Sequence, residues 1–99
     1  MGMDNIYVQK IRDLALGIFE HEDVRIILFG SRARGDNNRR SDVDIGIIPR
    51  GRFDSAKITV LRDRIDELNV PYKVEVVNFA EASPDFTREA LKGAISWKG

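Results

Sequence analysis

Apolar residues recur along the first third of the chain with the spacing of a helix and then of a strand. Residues 4 to 22 carry apolar side chains three and four positions apart, which predicts a helix with one buried stripe formed by Ile11, Leu14, Ala15, Ile18 and Phe19. Residues 24 to 29 are a nearly continuous apolar run that ends at Gly30. Such a run predicts a strand that is buried on both faces.

Residues 42 to 48 alternate strictly between two kinds of side chain. Successive side chains of a strand point to opposite faces, so this segment is predicted to be a strand with one apolar and one acidic face. The apolar face holds Val43, Ile45 and Ile47, and the opposite face holds Asp42, Asp44 and Gly46.

A second long helix is predicted for residues 54 to 68. Asp54 is a suitable N-cap, and Phe53 and Ile58 have the spacing of a hydrophobic staple. The buried stripe of this helix is formed by Ile58, Leu61, Ile65 and Leu68.

The last third of the chain predicts one more strand and one more helix. Residues 72 to 79 have the pattern of a strand, and Ser83 before Pro84 is typical of a helix start. Apolar side chains continue the stripe of this helix as far as Ala94, and Trp97 is expected to cover the edge of the core. The order of elements predicts an α/β (α+β) protein in which helices cover a small sheet.

Composition narrows the class of protein. With 99 residues and no repeat or linker, the chain is predicted to be a single domain that spans residues 1 to 99. Sixteen basic residues balance sixteen acidic ones, which argues against a dedicated binder of duplex DNA. The absence of cysteine excludes disulfides and a cysteine nucleophile, and it suits a cytoplasmic location. No apolar run is long enough to cross a bilayer, so we expect no role at a membrane.

Asp42 and Asp44 are the first candidates for chemistry. They stand two positions apart on a strand, so their side chains share a face and their Cα atoms lie about 6.5 Å apart. Two carboxylates placed in this way can bind a pair of divalent ions, and the packed opposite face would hold them rigidly. Without metal the two carboxylates repel each other, and a hard cation removes that cost. The alternative is that both aspartates only solubilise an exposed strand face.

A glycine-rich turn precedes the acidic strand. Gly30 followed by Ser31 lets backbone N–H groups approach a phosphate closely, and a helical turn that starts at Ser31 would add further donors. The Ser31 hydroxyl can donate as well, and Arg32 and Arg34 can reach phosphate oxygens. The alternative is an ordinary Gly-Ser turn with solvated arginines. Phosphate donors so close to paired carboxylates favour a site for a metal-bound triphosphate.

Together these segments resemble a known signature. Gly30 and Ser31, ten further residues, and then Asp42 and Asp44 resemble the Gly-Ser-x10-Asp-x-Asp signature of the minimal nucleotidyltransferases in the DNA polymerase beta superfamily. The wider match covers FGSRARG and SDVDIGI, which adds Ser41 to the candidate nucleotide-binding residues. The resemblance implies a polymerase-beta-like fold with a small mixed β-sheet covered by helices. It also implies that the Gly-Ser pair holds the triphosphate of ATP while the two aspartates bind two magnesium ions.

The same family has a third carboxylate on a later strand, and Glu75 stands where it is expected. Many relatives carry aspartate there, so the longer side chain is a departure from the pattern. The resemblance implies that Glu75 is a third metal ligand or the base that accepts the hydroxyl proton. The alternative is an exposed strand residue paired with a lysine.

The resemblance implies the transfer of a nucleotidyl group with loss of pyrophosphate. The assigned elements leave no room for an acceptor-binding domain, so we expect the acceptor to be held by another chain, by a second copy of this chain, or weakly. Proteins of this kind are commonly encoded beside a HEPN-domain protein and act as antitoxins, some by transferring AMP to a tyrosine of that toxic ribonuclease. We therefore expect a protein adenylyltransferase with a HEPN-domain toxin as its partner.

Two other hypotheses come from different classes of protein. A binding module could neutralise its partner by contact alone, which the departure at Glu75 and the missing acceptor domain favour. The intact signature of Gly30, Ser31, Asp42 and Asp44 argues against it, because a purely steric inhibitor has no need of these residues. Transfer to RNA or to a small molecule is disfavoured by the neutral charge and the lack of a second domain.

Overall fold

The computed structural model of the protein describes residues 6–35 and 42–99. Its helices and strands alternate for most of the chain, as the hydrophobic pattern predicts. The elements follow in the order α1 (Ile6–Ile18), β1 (Val24–Phe29), α2 (Ser31–Arg34), β2 (Val43–Pro49), α3 (Ala56–Glu67), β3 (Val74–Asn78), a 3-10 turn (Phe79–Glu81), α4 (Pro84–Leu91) and β4 (Ile95–Lys98).

Four strands form one mixed sheet in the order β3-β2-β1-β4. Strand β1 pairs antiparallel with both β2 and β4, while β2 and β3 run parallel and are joined through α3. A parallel pair needs such a crossover, because its second strand starts at the end where the first one started. The predicted fold class, a small mixed sheet covered by helices, is confirmed.

The core lies on both faces of this sheet. The larger cluster packs α1 and α3 on one face, and its fully buried side chains include Ile11, Phe19, Ile26, Ile45, Ile47 and Leu61. The smaller cluster on the other face holds Ile27, Phe29, Phe79 and Ala90. Strand β1 contributes to both clusters, which confirms the prediction that it is buried on both faces. The alternation predicted for residues 42 to 48 is also confirmed, since Val43, Ile45 and Ile47 are all fully buried.

Helix α1 is shorter at its C-terminal end than predicted, because it ends at Ile18 and not near residue 22. The carbonyl groups that follow are bound by a lysine from the far end of the chain. The Nζ atom of Lys98 lies 2.7 Å from the carbonyl oxygens of both Phe19 and Glu22. A cation is favourable at the C-terminal end of a helix, where carbonyl groups lack partners within the helix.

Among the described residues, no helix is both long and apolar enough to cross a membrane.

The start of α3 differs from the prediction by two residues. The helix begins at Ala56, and Asp54 lies before it with its carboxylate accepting a hydrogen bond from the Ala56 N–H at 3.0 Å. The Asp54 N–H donates to the side chain of Glu22 at 2.8 Å, which fixes the entry of the chain into the helix. Phe53 packs on the larger core cluster, and its ring centroid lies 6.5 Å from that of Phe19.

The prediction for the C-terminal segment is wrong in one respect, because a fourth strand was missed. Helix α4 starts as predicted, with the Ser83 hydroxyl accepting from the Phe86 N–H at 3.0 Å, but it ends at Leu91 rather than continuing to Ala94. Gly93 follows with φ +74, a left-handed conformation that ends a helix. The next residues pair with β1 as β4. Trp97 packs against the larger core cluster from this strand.

Gly46 of β2 provides a test of the smaller core cluster. A Cβ atom at Gly46 would lie 2.4 Å from Cε1 of the buried Phe79 ring and 3.0 Å from Cγ1 of Ile27. We expect Gly46→Ala to lower the free energy of unfolding by about 1–3 kcal/mol, the usual cost of overpacking a core. Urea unfolding followed by circular dichroism measures this change.

Gly17 of α1 provides the matched control for the Gly46 substitution. A Cβ atom at Gly17 would meet nothing within 4 Å. Since alanine is a better helix former than glycine, Gly17→Ala is expected to leave stability unchanged or raise it by up to about 1 kcal/mol. An equal loss of stability in both variants would show that the contact of Gly46 with Phe79 has no special cost.

Candidate active site

Asp44 lies directly against the glycine-serine bend. The antiparallel pairing of β1 with β2 places Phe29 opposite Asp44, so Gly30 follows immediately beside the carboxylate. A Cβ atom at Gly30 would lie only 2.4 Å from Oδ2 of Asp44, and Gly30 has φ +83. Both the close approach and the left-handed backbone require glycine at this position. The predicted neighbourhood of the acidic strand and the bend is therefore present.

The bend continues into a short helical turn that starts at Ser31. Helix α2 covers Ser31–Arg34, and the N–H groups of Arg34 and Gly35 donate to the carbonyl groups of Gly30 and Ser31 at 3.2 and 3.1 Å. The first N–H groups of such a turn have no acceptor within the helix. Gly30, which directly precedes this turn, is the residue that the Asp44 carboxylate approaches. Phosphate binding by Gly30 and Ser31 stays a prediction.

Strand β3 brings Glu75 beside Asp44. The parallel register pairs Val43 with Val74 and Asp44 with Glu75, so both carboxylates leave neighbouring strands at the same level. Helix α3 fixes β3 from the outside, because an Nη atom of Arg62 donates to the Val76 carbonyl oxygen at 2.6 Å. Asp42 precedes β2 and is exposed. The structure thus brings the three predicted acidic residues to one end of two adjacent strands.

The charge of this acidic cluster acts on Asp44. Burial raises the pKa of the Asp44 carboxyl above its usual value, and the negative charges of Glu75 and Asp42 raise it further. The positive charge of Lys73 acts in the opposite direction. A half-buried carboxyl between two others is costly to ionise. A divalent cation bound there would remove that cost.

Lys73 is a residue of this site that the sequence analysis did not name. Its Nζ atom lies 3.0 Å from Oε2 of Glu75, so the pairing of Glu75 with a lysine and its position beside Asp44 are both present. Lys73 and Glu75 stand two positions apart at the start of β3, which puts their side chains on one side of the strand. The same spacing rule that joined Asp42 to Asp44 could have identified this pair.

The three carboxylates have the chemistry of a magnesium site without yet having its geometry. Carboxylate oxygens are the ligands that magnesium prefers, and the negative charges of Glu75 and Asp42 add to burial in raising the pKa of Asp44. Over residues 6–35 and 42–99, no three acidic, histidine or cysteine side chains are placed to hold one ion together. Glu75 is instead turned to Lys73. The types of side chain present therefore fit a divalent cation, and Glu75 is the carboxylate that is paired with a lysine instead.

The two arginines of α2 are placed differently from each other. Arg32 is only 6% exposed, and its guanidinium carbon lies 4.7 Å from the ring centroid of Tyr72. This cation–π contact connects α2 to the segment before β3. Arg34 is exposed, and its side-chain stem lies close to Gly93. Phosphate contacts from both arginines stay predictions, and Ser41 lies outside the described residues.

Comparison with known proteins gives the family. The model of the family described as "Polymerase beta, Nucleotidyltransferase" matches residues 16–96. The chain belongs to this nucleotidyltransferase family. The matched range contains the Gly-Ser bend, both aspartates and Glu75, and it excludes residues 1–15, which include most of α1, and the last three residues.

One relative and two solved structures are similar to this nucleotidyltransferase. The "Probable protein adenylyltransferase MntA" of Haemophilus influenzae is 31% identical over 70 residues, which are 71% of this chain and 60% of that protein. A chain from the crystal structure of a toxin–antitoxin with AMP-PNP gives a TM-score of 0.64 at 21% identity, over 89% of this chain and 73% of that one. A mutant of the toxin–antitoxin MntA-HpeT gives the same score and coverage at 18% identity. The family match and the fold shared with these structures together confirm the predicted polymerase-beta-like fold.

The raised pKa of Asp44 predicts how the stability of the metal-free protein depends on pH. In the folded state this carboxyl holds its proton more tightly than in the unfolded chain, where its ordinary value is 3.8. The tighter binding of this proton stabilises the folded state. That stabilisation is fully present below the ordinary value and is lost as the pH rises through the raised folded-state pKa. We expect Asp44→Asn to unfold at a higher temperature than the parent at pH 7 in EDTA, with a difference that shrinks towards pH 3.5.

Asp63, an exposed aspartate of α3, is the control for the pH experiment. Asp63→Asn is expected to show no such growth of the difference between pH 3.5 and pH 7. An advantage of Asp44→Asn that is constant with pH would contradict the electrostatic origin, because a packing effect does not depend on ionisation.

Proposed function

We propose that this nucleotidyltransferase transfers AMP from ATP to a hydroxyl group of a partner protein. The observation that carries the proposal is the close approach of the Asp44 carboxylate to Gly30, the residue that directly precedes α2. Anion donors and carboxylates belong together where the ligand is a triphosphate with its metal.

We also propose that residues 1–99 act as one catalytic unit. The cytoplasmic location stays a prediction from the cysteine-free sequence.

Each residue of the site has a role in this proposal. Asp42 and Asp44 would hold magnesium, two ions in the pattern of the family, with Glu75 as a third ligand or as the base. Bound magnesium would supply positive charge to the attacking and leaving oxygens. The backbone at Gly30 and Ser31, with the exposed Arg34, would orient the triphosphate.

The bond changes follow from the chemistry of a nucleoside triphosphate. The acceptor oxygen forms a bond to the α-phosphorus, and the bond from this phosphorus to the oxygen that leads to the β-phosphorus breaks. Pyrophosphate leaves, and the hydroxyl proton passes to Glu75 or to one of the aspartates.

The acceptor is proposed to be a tyrosine of a HEPN-domain toxin, so that the protein acts as an antitoxin. Support comes from the relative named a probable protein adenylyltransferase and from the fold shared with chains of toxin–antitoxin structures, one of them with AMP-PNP. The signature of the minimal nucleotidyltransferases points to the same class of partner. The match covers 60% of the length of that relative, so the relative's name does not establish the acceptor of this chain.

A second candidate is an antitoxin that neutralises its partner by contact alone. One observation favours it: Glu75 is held by Lys73, and no three candidate ligands converge among the described residues. The two candidates differ in whether the carboxylates matter for neutralisation.

Labelled ATP distinguishes these two functions. The protein is incubated with ATP labelled at the α-phosphate, magnesium and the co-purified product of the neighbouring gene, and transfer is measured as label on the partner. We expect the Asp42→Asn and Asp44→Asn double variant to lose label about 100-fold or more, the size of effect seen when groups that act on a transition state are removed. A double variant at exposed aspartates of α1 and α3, Asp13→Asn with Asp63→Asn, is expected to transfer as the parent does.

The same variants are then tested for neutralisation of the toxin. Loss of neutralisation together with loss of label supports the enzyme. Full neutralisation by the Asp42→Asn and Asp44→Asn double variant, with no label on the partner, would establish the contact mechanism. It would overturn catalysis as the function.

A further inference from the structure

Lys73 is anchored next to the acidic residues by its backbone as well as by its side chain. Its carbonyl oxygen accepts a hydrogen bond from the Val43 N–H at 2.9 Å, which places it beside the residue that follows Asp42. Its Nζ atom reaches Glu75 at 3.0 Å. The ammonium group therefore belongs to the carboxylate site and is not a distant surface charge.

The ammonium group of Lys73 is a positive charge directly beside this acidic cluster. Its Nζ atom lies 3.0 Å from a carboxylate oxygen of Glu75, and a lysine side chain is positively charged at neutral pH. One positive charge partly balances three negative ones, which lowers the repulsion among the carboxylates.

We propose that Lys73 is a built-in counter-ion of the carboxylate site, which holds Glu75 when no metal is bound and must release it for a divalent cation to gain its third ligand. The proposal rests on the metal-binding role of these carboxylates under the proposed function. It assigns Lys73 a positioning role, because the lysine acts on the cation through Glu75. It also explains why the three carboxylates lie together without converging.

The surroundings of Lys73 leave room for this release. Its side chain is 66% exposed, and it lines a groove of ≈ 390 Å³ between α3 and β3. Asp66 of α3 lines the same groove and offers another carboxylate to a displaced ammonium group. The lysine can therefore leave Glu75 without a change in the backbone of β3.

The consequence for cation affinity follows from simple electrostatics. A single positive charge a few ångströms from a divalent ion weakens its binding on the order of tenfold, even at a solvated site. The lysine must also give up an ion pair before Glu75 can turn to the metal. Removing the charge of Lys73 should therefore strengthen the binding of a divalent cation and lower the stability of the metal-free protein.

Binding of Mn²⁺ alone tests the proposal without any measurement of activity. The free ion is counted by electron paramagnetic resonance during titration of the parent and of Lys73→Met, with Lys73→Gln as a second neutral variant in case the methionine variant does not fold. We expect Kd for Mn²⁺ to fall on the order of tenfold in the neutral variants. In EDTA the same variants are expected to unfold at a lower temperature than the parent.

Two controls separate this effect from a general change of charge. Lys92 forms an equally short pair with Glu89, 3.0 Å apart, at the end of α4, so Lys92→Met removes a comparable ion pair elsewhere. It is expected to leave Kd for Mn²⁺ within about twofold of the parent, since surface charges at a distance are screened. Lys73→Arg keeps the charge and is expected to bind Mn²⁺ nearly as the parent does.

The outcomes distinguish a failure of this inference from a failure of the proposed function. If the parent binds Mn²⁺ through Asp42 and Asp44 but Lys73→Met binds no more tightly, the counter-ion role is overturned and the metal site stands. If neither the parent nor the Lys73 variants bind Mn²⁺, or if Asp42→Asn with Asp44→Asn binds as the parent does, the metal site itself is overturned, and the counter-ion role with it.

Discussion

The approach of the Asp44 carboxylate to the Gly30 backbone is the contact on which the rest of the site depends. It exists because β1 and β2 pair in one register, with Phe29 opposite Asp44. A side chain at Gly30 would collide with the carboxylate oxygen, and the left-handed backbone there turns the chain into α2. The same pairing is held by a core on both faces of β1. The pairing of the two strands thus fixes how closely the acidic strand approaches the Gly-Ser bend.

Repulsion among the carboxylates is the second constraint on the site. Three carboxylates at one end of two parallel strands repel each other, and burial makes this worse for Asp44. A metal-free protein needs another cation there, and Lys73 provides it at Glu75. Under the proposed function, a divalent cation takes over this role from Lys73 when the nucleotide binds. This view connects the unusual glutamate at position 75 with the lysine beside it, because the longer side chain can reach either the lysine or a metal.

Most helices and strands could be predicted from the sequence because they follow from local rules, whereas the mixed sheet and the place of Glu75 came from the resemblance to a known family. The alternation in residues 42 to 48 fixed which side of β2 is acidic, and the buried run of β1 identified a central strand. Strand β4 was missed because its four residues pair with β1 only through tertiary contacts, which no local pattern records. The start of α3 was placed two residues early because Asp54 caps a turn that precedes the helix. The Lys98 contact with the end of α1 joins residues far apart in sequence and leaves no local pattern.

A crystal structure with Mn²⁺ and AMP-PNP tests the assignment of this site most directly, because anomalous scattering locates the metal without assumptions. We expect a manganese peak at coordination distance, about 2 Å, from an Asp44 carboxylate oxygen, with Asp42 as a further ligand and the triphosphate against the N–H groups at Ser31. A triphosphate bound away from the Gly30 bend, or a metal that has no contact with Asp44, would contradict the assignment.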